Sequence, residues 1–396
     1  MKKLTGNFFT RIACVGASLM LFAGTACETK TVDADLYPKT VLEDDEETEE
    51  NTEVKENEES AFHDIDISTL LKTPPDTLKE KGVFEYNHYL MHPRVLEMTK
   101  NKPFAVMSAY EFLSAVVNFD TEFSLNPDFP MTDDDITLAQ IIAGSANPVV
   151  NMVGFESDDN IHWTVKYCPK MAMNDVGPDE IEVTYLDGKS PEEAEKIYGK
   201  YVDYVTKMIN ENIPKDSTDI ERAEIVYRKI LEDFEIADYE SMTAPEIEYK
   251  DGVSYYSIPS LVELVNAGSP LPEYMVPALY QAILLQLGVE NEMVYGTGKF
   301  GDTGIESMKN VYSYQTYENW IVITSGDESY HCDITMDMYA KADYMKSGAE
   351  GTYRPRFFGM SDEKRNETFE ATSVATESGM AVPECPKDYY ENRVSE

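Results

Sequence analysis

The sequence predicts an α+β fold in which a central helix packs on an antiparallel sheet, preceded by a mixed α/β N-terminal domain. Three observations carry that prediction. Ser190-Pro191-Glu192-Glu193 and Thr218-Asp219-Ile220-Glu221 are capping boxes that open two amphipathic helices in succession. The apolar run from Leu271 ends at Gly288, as a buried helix with a glycine stop should. Two β-branched and aromatic stretches, Asn319 to Thr324 and Ser329 to Thr335, flank the hairpin signal Ser325-Gly326-Asp327.

In chain order, the N-terminus reads as an export signal. Lys2, Lys3 and Arg11 form a basic start, and Ile12 to Ala23 is an apolar stretch too short for a membrane span. It leads into Gly24-Thr25-Ala26-Cys27, which resembles the bacterial lipobox, with Gly24 at a position where leucine is usual. That resemblance implies a lipid on Cys27 and anchorage on the outer face of the bacterial cell membrane. Residues 1–26 are therefore expected to be signal and 27–62 a tether, since Glu43-Asp44-Asp45-Glu46-Glu47 and the glutamates beyond repel one another and have little to bury.

Residues 63–189 are expected to form the mixed α/β unit. Phe104 to Leu113 and Thr137 to Ile142 have helical spacing, whereas Val149 to Val153 and His162 to Tyr167 read as strands. Residues 190–345 form the core domain. Behind Ser190, the side chains of Ile197, Tyr201, Tyr204, Val205, Met208 and Ile209 recur on one face, and behind Thr218 those of Ala223, Val226, Ile230 and Phe234 do so. A short helix over Ser257 to Ala267, stopped by Gly268, precedes the central helix. A strand over Glu292 to Gly296 follows it, then a loop through Gly298, Gly301 and Gly304. Residues 346–396 are a C-terminal extension expected to pack back on the core.

Composition limits function. A net charge of -41 and a pI near 4.3 argue against nucleic acid as a partner, because phosphate recognition needs clustered Lys and Arg. The same charge favours cationic peptides or amine-bearing polymers. Of five cysteines, Cys14 lies in the signal and Cys27 at the anchor, leaving Cys168, Cys332 and Cys385. Their scatter lacks metal-ligand spacing, so neither a metal nor a cofactor is expected, and no disulfide pair is singled out.

Trp320, Gly326-Asp327 and Asp333-x-Thr335 follow the order and spacing found in bacterial transglutaminase-like proteins of the papain-like cysteine protease superfamily, which the core domain resembles. The family's His stands two residues before the Trp, where this chain has Glu318. Its nucleophilic Cys opens the central helix; counting back from Gly288-Val289 with Tyr280 and Leu284 in register gives Glu273, and a shift of one or two residues gives Tyr274 or Met275. Only the orienting Asp is matched, by Asp333. The resemblance implies a degenerate triad of Glu273, Glu318 and Asp333, and a domain that binds envelope peptides or a protein partner. The alternative is an active cysteine peptidase or acyltransferase with a rearranged site. Tyr317, Trp320 and Tyr274 are the expected binding side chains. If the three acids converge, their repulsion calls for a cation among them.

Overall fold

The computed structural model describes residues 76–392, except 124–137, 140–141, 149–153, 156–160, 167–168, 173–180, 186–189, 238–245, 251–252 and 309–315. The signal, the tether, the anchor Cys27 and Cys168 lie outside the described residues. So do the expected strand over Val149 to Val153 and part of the expected helix over Thr137 to Ile142. Among those described, no helix is long and apolar enough to cross a membrane.

The fold is α+β. Three helices, α1 (Thr77–Lys81), α2 (Pro93–Thr99) and α3 (Pro103–Val117), come first. Short strands follow: β1 (Glu122–Phe123), β2 (Gly154–Phe155), β3 (Ile161–Lys166), β4 (Pro169–Ala172) and β5 (Ile181–Tyr185). Next are α4 (Pro191–Asn212), α5 (Asp219–Asp233), β6 (Glu246–Lys250), β7 (Val253–Pro259), α6 (Leu261–Ala267) and α7 (Met275–Gln286). The remainder comprises β8 (Asn291–Phe300), β9 (Thr316–Ser325), β10 (Glu328–Cys332), α8 (Ile334–Lys346), α9 (Asp362–Thr368) and β11 (Phe369–Thr376).

Strands β1, β5, β4 and β2 form one sheet in that order, and β3, β7 and β6 form another in which β3 runs parallel to β7. The sheet that positions the candidate site is antiparallel, in the order β10-β9-β8-β11. Its inner face, with Met293, Ile321, Ile323, Tyr330 and Cys332, joins one hydrophobic cluster with α7, the α4–α5 pair and the first three helices. Because side chains alternate along a strand, Trp320, Val322 and Val294 lie on the outer face. There they meet Phe369 and Cys385 in a smaller cluster supplied largely by the C-terminal extension.

The predicted caps explain the helix starts. Ser190 and Thr218 each make both bonds of a capping box, so two otherwise orphaned N–H groups at each helix start are satisfied. Three boundaries differ from expectation. Residues 257–259 complete β7, and the next helix starts one residue past Ser260, whose own capping box with Glu263 sets the boundary. Strand β10 ends at Cys332, where Asp333 caps α8 by accepting from Met336 N–H (3.1 Å), so Thr335 is helical. Gly298 lies inside β8 and not in a loop; a Cβ there would sit 2.2 Å from the Glu370 carbonyl oxygen, so glycine is what lets β11 pair at that point. Gly296 likewise clears space for the Trp320 ring, 2.7 Å from where its Cβ would be.

Candidate functional site

Glu318 lies on β9 of the outer sheet face, and Asp333 sits at the N-terminus of α8. Both are buried, with Glu318 3% and Asp333 0% exposed. Glu273, half-buried just before α7, is held by α8: its carbonyl accepts from Thr335 Oγ1 (3.3 Å) and its carboxylate from Tyr339 (3.1 Å). Burial drives the Glu318 pKa well above the usual carboxylate value, and the Asp333 and Glu273 charges push the same way. Burial also raises Asp333. Glu318 thus senses both of the other acids.

The cation they require is Arg365, from α9. Its Nη2 lies 3.6 Å from Asp333 Oδ2, and its guanidinium stacks 4.0 Å from the Trp320 ring centroid and 4.9 Å from that of Phe369. Arg365 is 3% exposed. Burial works against its charge, while Asp333 and Glu318 favour it. The pairing is electrostatic more than hydrogen-bonded. Asp333 Oδ2 and the Nε and Nη2 atoms of Arg365 are buried without a hydrogen-bond partner, and Nη1 reaches only Thr368 Oγ1 at 3.3 Å. The extension therefore closes over the acids with a guanidinium, and Glu318, Asp333 and Arg365 are buried there.

The aromatic residues expected to bind do not share one surface. Trp320 is buried under Arg365 on the outer face. Tyr317 is on the inner face, stacked on Tyr295 with ring centroids 6.2 Å apart. Tyr274 packs against the main core at the start of α7, and burial raises its phenol pKa.

The sequence motifs do not reveal a second constellation on the outer face. Trp320 Nε1–H donates to His331 Nδ1 (2.9 Å), and His331 Nε2 is 2.9 Å from Asp362 Oδ1. An indole nitrogen only donates, so Nδ1 is the acceptor and the proton sits on Nε2, directed at Asp362. Asp362 Oδ2 accepts the Cys385 N–H (2.8 Å). One ligand atom each from His331, Asp362 and Cys385 lie within 4.8 Å of one another. This set has the softness to hold a divalent metal. Coordination at Nε2, however, would require the ring proton to move to Nδ1, against the Trp320 N–H. The local fit is therefore poor.

The same bonds bear on nucleophilic chemistry. Both His331 nitrogens are committed, and burial lowers the ring's pKa. The Cys385 thiol is pushed up by burial and by Asp362, and it donates to Pro383 O at 3.6 Å. Cys332, on the other face, is also raised by burial. The imidazole and carboxylate beside Cys385 are already hydrogen-bonded to Trp320, to each other and to the Cys385 N–H, so neither is free to take the thiol proton. One signal for this group is present in the sequence. His331 pairs with Val322, and Val322 shares the strand parity of Trp320, so a correctly registered hairpin puts the imidazole and the indole on one face. Nothing local marks Asp362, Arg365 or Cys385. No family profile matches the chain, and no curated protein matches it.

Proposed function

We propose that this is an exported, lipid-anchored bacterial surface protein whose transglutaminase-like, papain-like domain binds envelope peptides or a protein partner and has lost catalysis. The observation that carries the reading is the filling of the triad slots: Glu318 and Asp333 face Arg365, Glu273 acts on Glu318, and no sulfur is among them. A carboxylate cannot replace a thiolate in acyl transfer, and a buried guanidinium blocks the approach of a substrate carbonyl.

Two experiments test the catalytic part. Full-length protein treated with iodoacetamide should show no rapidly reacting thiol; fast, selective labelling of Cys332 or Cys385 would revive the active-enzyme alternative. Glu273→Cys combined with Glu318→His rebuilds the family's triad around Asp333. Its new thiol should react faster than that of Glu273→Cys alone, and equal rates would count against the assigned register. For the anchor, incorporation of an alkyne-tagged fatty acid should disappear in Cys27→Ala.

A further inference from the structure

Strand β11 ends the antiparallel sheet, and among the described residues its second edge has no backbone partner. Exposed edges usually carry Lys or Pro to deter pairing. The strand Phe-Glu-Ala-Thr-Ser-Val-Ala-Thr has neither. Its protection is the exposed charge of Glu370 and a bulge between Ala371 and Ser373, where Thr372 Oγ1 donates to the Thr297 carbonyl (2.8 Å). Beyond that bulge, Ser373 to Thr376 pair regularly with β8. Thr372, Ser373 and Val374 are exposed in succession, and Val374, at 51%, is among the few large apolar side chains left open to solvent.

Beside this edge is a cavity of about 210 Å³. Trp320, Phe369 and Val374 supply apolar walls, and the half-buried Asp362 and the exposed Glu384 supply carboxylates. Asp362 keeps 49% of its side-chain surface exposed although it already holds His331 and Cys385. Arg365 also lines the cavity, but its charge is directed inward to Asp333. Lys364, the adjacent cation on α9, is directed to Asp388 (3.8 Å). Apolar walls beside two carboxylates that reach solvent suit a long side chain with an aliphatic stem and a cationic tip.

We propose that β11 and this cavity receive an extended, lysine- or arginine-bearing peptide. The peptide adds as a strand along Ser373 to Ala375 and places one cationic side chain between Asp362 and Glu384. Backbone pairing supplies affinity and the cavity supplies selectivity. A second copy of the chain is a poorer occupant, since two molecules of net charge -41 repel along the same edge. The surface shares Arg365 and Trp320 with the acid cluster but uses none of Glu273, Glu318 and Asp333, so it stands whether or not the family reading does.

The test uses fluorescence anisotropy on the full-length protein with a labelled octapeptide alternating Thr and Lys. The controls are an octapeptide alternating Thr and Glu, and the Thr-Lys peptide N-methylated at alternate amides. The Thr-Lys peptide should bind and slow amide exchange at residues 373–375. Each control should bind about tenfold more weakly or worse, because one lacks the charge and the other the strand hydrogen bonds. Val374→Lys and Glu384→Lys should each weaken binding about fivefold or more while leaving the circular dichroism spectrum unchanged. Equal binding of the N-methylated peptide would reduce the effect to nonspecific charge attraction and overturn the proposal. So would absence of binding, or self-association through β11 that excludes the peptide.

Discussion

Two buried carboxylates at the start of α8, Asp333 and Asp337, lie one helical turn apart and are treated differently. Asp337 is 0% exposed and accepts four hydrogen bonds: from Tyr227 (2.5 Å), Tyr353 (2.5 Å), Arg356 N–H (2.8 Å) and Phe357 N–H (3.0 Å). Asp333, equally buried, has one oxygen occupied by Met336 N–H and the other orphaned beside an Arg365 that is itself short of acceptors. Burial raises both pKa values, but at Asp337 four donors work against the rise. Directed donors make Asp337 a staple between α5, α8 and the start of the extension. Charge alone, poorly bonded, holds the Asp333–Arg365–Glu318 group. Under-bonded buried charge is costly, so this cluster is weak evidence of a stability device.

The largest effect should come from the staple. Asp337→Ala strands two tyrosine hydroxyls and two backbone N–H groups in the core, so we expect a loss of about 3–5 kcal/mol in urea denaturation. A loss under about 1 kcal/mol would erase the contrast between the two carboxylates.

Arg365→Met comes next. Removing the guanidinium leaves Glu318 and Asp333 facing each other without a cation, which should cost about 2–4 kcal/mol at neutral pH. Folded pKa values raised above the unfolded ones mean the acids hold protons more tightly when folded, so acid relieves the variant. The deficit should shrink as pH falls toward the unfolded carboxylate value near 4.5. Adding Glu318→Gln and Asp333→Asn should recover most of the loss. No recovery would assign the Arg365 contribution to its packing on Trp320 and Phe369 instead of its charge.

Glu318→Gln alone should be mild, within about 1 kcal/mol of the parent, because Gln imitates the protonated acid that this environment favours. A large loss would mean that Glu318 is ionised and that Arg365 serves it more than Asp333.

The same contrast explains what is legible in the sequence. Cap residues act within a turn, so Ser190, Thr218, Gly268 and Gly288 announce their elements locally. Turn chemistry likewise marks Gly326, whose φ of 64° suits glycine in a two-residue hairpin turn. Asp333 is ambiguous: after a β-rich run it reads as one more strand residue, yet a carboxylate able to accept a bond three residues on is also a helix start. The hairpin brings Glu318 and Asp333 within each other's influence, but their cation comes from α9, after a long excursion of chain. Such a partner is set by tertiary packing, which no local period records. Cys385 and Asp362 reach His331 by the same route.

The smallest effect concerns a fourth buried acid, which extends the contrast to the far end of β11. Glu377, just after that strand, accepts from Gln281 Nε2 (2.6 Å), while His92 Nε2 stops 3.9 Å away. Nearby Arg94 is directed to Glu290 (2.9 Å) and Glu292 (3.3 Å) instead of Glu377. Burial, with the Glu292 charge, pushes the Glu377 pKa up to about 8, against an unfolded value near 4.5. The folded state therefore binds the extra proton, and stability present below pH 4.5 is lost as pH rises through 8. His92 works the other way, with burial lowering it to about 3, so its contribution is lost in acid, below its unfolded value of 6.5. Between about pH 7 and 8 Glu377 acts alongside Glu318, whose folded pKa burial also raises. There thermal stability should fall with pH, and the share due to Glu377 is a slope below ~1.4 kcal/mol per pH unit, the limit for one proton. Glu377→Gln keeps the bonding shape without the titration and should make that segment shallower by that share. A parent and variant with the same slope would show that Glu377 is already ionised, and that one neutral donor suffices to hold a buried carboxylate here.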